Sequence, residues 1–156
     1  MFLGSLPRPA SVLKYLDNND DDIPPEILEI AVRDTVKKQI EVGVSIVGDG
    51  EMSKPSYVSY VTGRLEGFGG SDKGPGVADL ADFPGFAKQQ IEIGAVIPRD
   101  SEYIKCCTGP IKYKDFKAVE QDLNTFQKVL ATEKPRDGSF ITAASPGVVA
   151  LFQVKD

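Results

Sequence analysis

Between residues 25 and 42 the apolar positions recur three and four apart: Leu28, Ala31, Val32, Thr35, Val36, Gln39 and Ile40. That spacing lays one stripe along a helix. Pro24-Pro25 opens it, where a missing N–H costs nothing, and Glu26 and Glu29 suit its positive end. Glu29–Arg33 and Asp34–Lys38 are i,i+4 pairs on the wet side, and Gly43 supplies the stop. A second stripe, Phe116, Val119, Leu123, Phe126 and Leu130, predicts a helix over 116–131, with Asp115 as its cap and Pro135, Asp137 and Gly138 ending it. A third helix is expected over 53–65, with Tyr57, Tyr60, Val61 and Leu65 on its apolar side.

Short apolar or β-branched runs predict strands at 1–6, 44–47, 104–108 and 139–144, and a weaker alternation suggests one at 90–97. The stretch 63–76 holds six glycines in 14 positions and reads as irregular. With 79–87 it forms a Gly/Pro-rich excursion, 66–100, either a lid or a plain insertion. Strands alternating with helices predict βαβ units, right-handed crossovers and a parallel sheet, an α/β fold. A doubly wound open sheet is the fold alternative. Gly67-Phe68-Gly69 and Gly74-Pro75-Gly76 do not open a helix after a strand, so no dinucleotide fingerprint is present.

Composition narrows the function. The chain has 156 residues, with 18 lysines and arginines against 23 aspartates and glutamates, a net charge of −5. That balance disfavours a nucleic-acid partner, and 18–22 reads as a solvated acidic linker. The longest apolar run, 147–152, falls far short of the roughly 20 residues that span a bilayer, and the first residues lack the basic lead of a signal peptide. No membrane partner is expected. Two adjacent cysteines, Cys106 and Cys107, make no disulfide framework, so a cytoplasmic setting is expected. There is no histidine, which removes Ser-His-Asp and Cys-His catalysis from this chain.

Gly4-Ser5, Gly50-Glu51, Gly109-Pro110 and Ser145-Pro146-Gly147 each follow a predicted strand. In parallel α/β folds, ligands bind at that edge of the sheet. Any one such turn is ordinary; the polar members Ser5, Arg8, Glu51 and Ser145 together suggest a shared rim. Ser145 has no base to activate it and reads as a turn that shapes the rim. Asp49 reads as a turn residue. Glu51, taken alone, reads as a carboxylate at the start of the following helix, and Ser5 as a cap or turn hydroxyl.

The segments GSLPRP, QIEVGVSIVGDGE, LEGF, TGPIKY and FITAASPGVVALF, in that order and spacing, resemble the opening half of the cobalamin-independent methionine synthase family in its shorter, single-barrel branch. The resemblance implies a partial (β/α)8 TIM barrel of the methionine synthase/uroporphyrinogen decarboxylase type, about four βα units over 1–156. It implies methyl transfer from a methylated folate to the thiol of homocysteine, with zinc as Lewis acid. It also implies that Gly4 and Ser5 meet the carboxylate of homocysteine and that Glu51 meets its ammonium. Arg8 is placed at a carboxylate or folate-tail contact.

The family's zinc is held by one histidine, two cysteines and a glutamate from the second half of its barrel. Cys106 and Cys107 are no substitutes, because strand neighbours point to opposite faces; they read as small buried hydrophobes. A complete barrel takes about 250 residues. The expectation is therefore an N-terminal half-barrel, a fragment that contributes substrate placement but not the metal, with open sheet edges that invite self-association. The alternatives are another thiol-alkylating or uroporphyrinogen-decarboxylase-like barrel enzyme, or a non-catalytic binding or assembly remnant.

Overall fold

The computed structural model describes residues 1, 3–16, 23–54, 57–72, 78–92, 104–114 and 116–151. The chain is a mixed α/β protein made of two compact units. The first comprises Met1–Arg64 and Lys114–Ala144, the second Leu65–Tyr113 and Ser145–Asp156.

In the first unit, the Pro7-Arg8-Pro9 segment leads into α1 (Ala10–Leu16), where Pro9 O accepts from the N–H groups of Val12 and Leu13. The central stripe becomes α2 (Pro25–Glu41), with Pro25 in its first turn and Gly43 leaving it at φ +87°. Leu28, Ala31, Val32, Val36 and Gln39 are buried along one face, and Arg33 reaches Glu29 at 2.6 Å. The chain then runs into β1 (Ile46–Gly48) and, further on, α3 (Tyr57–Arg64). After the second unit's first segment come α5 (Lys117–Glu133) and β4 (Gly138–Phe140). Strands β1 and β4 pair in parallel, Ile46 opposite Gly138 and Gly48 opposite Phe140. Helix α2 packs on α5. The core between them holds Val12, Leu28, Val32, Val36, Val47, Met52, Phe126 and Val129, each such side chain contributing about 1.5–3 kcal/mol by leaving water.

In the second unit, β2 (Leu65–Asp72) and β3 (Ile104–Tyr113) form an antiparallel pair. A 3₁₀ turn over Ala78–Asp82 and helix α4 (Pro84–Glu92) follow β2, and α6 (Pro146–Leu151) belongs to the same unit. Cys106 is buried and Cys107 half-buried.

Several expectations change. The residues described in 1–6 form no strand: Gly4 stands at φ +114° and Pro7 lacks an N–H, so a ladder cannot continue. The glycine-rich run 65–72, expected to be irregular, is a strand. Its register shifts after Glu66, and Gly67, at φ +90°, lies where a β-carbon would come within 2.6 Å of Pro110 O. This bulge lets Gly109-Pro110 sit inside β3 instead of closing it. Residues 104–108, expected in a parallel sheet, therefore pair antiparallel in a hairpin. Residues 90–92 end a helix, and 93–97 lie outside the described residues, as do Asp115 and the linker 18–22. Among the described residues, no helix is long and apolar enough to cross a membrane.

Candidate functional site

The residues after β1 form a tight, buried turn whose shape is imposed from helix α2. The Gln39 side-chain amide clamps the end of the strand. Its Nε2 donates to Gly48 O at 2.8 Å and its Oε1 accepts from Gly48 N at 3.0 Å. Gly50 turns at φ +68° against Thr35 and Met52. Asp49 folds the turn back on itself, Oδ1 accepting from Glu51 N at 3.1 Å, which bears out its reading as a turn residue. Glu51 follows at φ +57°, a left-handed conformation that costs a non-glycine residue about 1–2 kcal/mol. Its side chain points into a packed setting, and the residue is 3% exposed.

Two hydroxyls from distant parts of the chain meet that carboxylate. Ser5 Oγ donates to Oε2 at 2.5 Å, and Thr142 Oγ1 donates to Oε1 at 2.8 Å. The N-terminal segment is brought in by Leu6 N, which donates to Gly50 O at 3.1 Å. Arg8 straps the same turn from outside: Nη2 donates to Glu51 O at 3.0 Å and to Lys54 O at 2.5 Å. Burial pulls the Arg8 pKa below its ordinary value, and the nearby Glu51 charge opposes that shift. Its role here is to hold the turn.

A small, shallow pocket opens at this point. Gly4, Leu6, Gly48, Glu51, Phe140 and Thr142 are among its lining residues. Gly4, Ser5, Arg8 and Glu51, singled out in the sequence, are thus brought together by the first unit. Gly109-Pro110 lies within the β2–β3 pair of the second unit. Ser145 also belongs to the second unit, its carbonyl accepting from Val149 N in the first turn of α6.

Sequence reasoning missed Gln39 as a clamp, Thr142, and above all Lys54. The Lys54 ammonium is buried, 3.3 Å from Asp49 Oδ2 and 2.9 Å from Thr142 O. The one signal for it was a lysine five residues after Asp49 in an otherwise small, polar turn. Behind it, Tyr60 donates to Asp122 at 2.7 Å, and Arg64 pairs with the same carboxylate oxygen at 3.2 Å. Among the described residues, no group of three or more histidine, cysteine, aspartate or glutamate side chains is placed to hold a metal ion.

Comparison of the chain with protein-family models, with curated proteins and with solved structures finds no match. The functional reading therefore rests on this geometry and on the resemblance in the sequence.

Proposed function

We propose that the first unit binds the amino-acid end of a small thiol-bearing amino acid of the homocysteine type, as the substrate-placing part of a methionine-synthase-like methyltransferase. In this reading the acceptor is the thiol and the methyl donor a methylated folate. The parallel β1–β4 pair, covered by α2 and α5, is taken as part of the opening half of a (β/α)8 barrel.

The observation that carries the reading is the Glu51 carboxylate, buried at a pocket and fixed on both oxygens by Ser5 and Thr142. A zwitterion needs an anion for its ammonium and donors for its carboxylate, and charge-assisted bonds are the strong ones. A carboxylate offers about four acceptor sites, enough for two hydroxyls and an ammonium together. Gly4 and Ser5 lie beside it for the other end of the ligand. The charges also suit a net-neutral molecule, because Arg8 and Lys54 balance Asp49 and Glu51. The apolar wall of Leu6 and Phe140 suits a short aliphatic side chain. The residues present do not fit the family's zinc, since the chain has no histidine and the described residues offer no ligand group. The reading therefore concerns substrate placement alone.

Calorimetry of L-homocysteine against the wild type and Glu51→Gln tests it. Expected is one ligand per chain in the wild type. In the isosteric variant, losing a charged hydrogen bond should weaken affinity roughly tenfold to a hundredfold. Equal affinity in both proteins, or no binding by the wild type, would overturn it.

A further inference from the structure

Lys54 does no more than balance charge in the reading above, yet it is among the most deeply buried charges in the first unit, with 3% of its side chain exposed. Its ammonium donates to Thr142 O at 2.9 Å and stands 3.4 Å from Thr142 Oγ1. Asp49 Oδ2 lies 3.3 Å away, and the Tyr60 ring centre 5.7 Å away on the α3 side. An ammonium carries three protons and no lone pair, so toward Thr142 it can only donate. An ionised Glu51 can only accept. The Thr142 hydroxyl between them has one consistent orientation, accepting from Lys54 and donating to Glu51 Oε1 at 2.8 Å. Asp49 closes the ring, one oxygen on Lys54 and the other on the Glu51 N–H.

We infer that Lys54 is a positioning residue for this site: it aims the Thr142 hydroxyl at Glu51 and so sets the carboxylate that receives the ligand's ammonium. The identity of the ligand rests on the amino-acid reading; the aiming of Thr142 does not. Ser5 supports Glu51 from the other side without help from Lys54, so Lys54 reaches the carboxylate through Thr142; its other link, through Asp49, ends on the Glu51 backbone N–H.

The test is a mutant cycle with two readouts. Lys54→Met alone strands the buried Asp49 charge, so Lys54 is removed as the pair Lys54→Met/Asp49→Asn. Calorimetry with L-homocysteine then compares the wild type, Thr142→Val, Thr142→Ser, the pair, and the pair combined with Thr142→Val. Expected are losses of roughly tenfold or more for Thr142→Val and for the pair. Thr142→Ser should stay within about threefold of the wild type, and the triple variant should be no weaker than the pair. Losses that multiply, or full affinity in the pair, would sink the inference. The second readout needs no ligand: exchange of the Thr142 hydroxyl proton by NMR, slow in the wild type and at least about tenfold faster in the pair. An unchanged rate overturns the inference whatever the protein binds. If the wild type binds no L-homocysteine while the rate rises as stated, the amino-acid reading fails and the role of Lys54 stands. Should the pair not fold, Thr142→Val against Thr142→Ser decides alone: equal affinity in the two variants means the hydroxyl carries nothing and overturns the proposal.

Discussion

At Gly50 the backbone stands at φ +68°, and a β-carbon there would lie 2.6 Å from Thr35 Cγ2 and 3.0 Å from Met52 Cε. Both the left-handed conformation and the crowding oppose any side chain. Gly50→Ala is expected to cost about 2–4 kcal/mol, read as a lower urea midpoint at unchanged slope. Tyr60 is a second residue whose surroundings set a measurable property. Burial, and then its hydrogen bond to Asp122, push its pKa from 10.0 to about 12. The folded protein thus holds this proton more tightly than the unfolded chain. The resulting stability is complete below pH 10 and is lost as pH rises through about 12. Urea unfolding across that window should show the loss in the wild type and a flatter profile in Tyr60→Phe. Of the site itself, Gly4, Ser5, Arg8 and Glu51 were legible because turn chemistry and a resemblance converged on them. Thr142 and Lys54 were not. Each acquires its meaning from a partner 88 or more positions away, and no local pattern records such a pairing.

Helices with a sustained period were the readable elements. The α2 stripe is buried where its spacing placed it, because four of its apolar positions, Leu28, Ala31, Val32 and Val36, face one core. Its polar member, Gln39, shows what periodicity leaves out: the same face that packs the helix also ties down β1. Gln39→Leu keeps the bulk but leaves the Gly48 N–H and C=O without this partner. A loss of about 2–4 kcal/mol is expected by chemical denaturation. In α5 the stripe was read slightly out of phase. Phe116 and Leu123 are 57% and 44% exposed, whereas Asp122 and Thr125 are buried. Asp122 turns inward because Tyr60 and Arg64 satisfy its charge, a contact made by α3 and invisible in α5 alone. The β2–β3 hairpin was the least readable element. Glycine-rich strands carry little alternation, and a proline inside β3 is tolerated only because a bulge receives it. The short helix α1 went unread because it is a bare two turns behind two prolines.

The first unit is assembled from two stretches of chain, and the segment between them leaves and re-enters it at one place. Lys114 N donates to Arg64 O at 3.1 Å, and Lys114 Nζ reaches Gly63 O at 2.9 Å. The chain leaves the unit at Arg64 and returns to it at adjacent backbone atoms. Replacing 65–113 by a short glycine–serine linker is therefore expected to leave the first unit folded and its affinity for L-homocysteine within about threefold of the wild type. Circular dichroism with calorimetry checks both. Such a doorway has a consequence for how the protein can change over time. Closing a loop at a fixed doorway costs only about 0.6 kcal/mol more for each doubling of its length. Material threaded through it can lengthen, shorten or be exchanged while the Glu51 turn registers almost none of it, so sequence drift should be widest between these two posts and narrowest around Asp49 and Lys54.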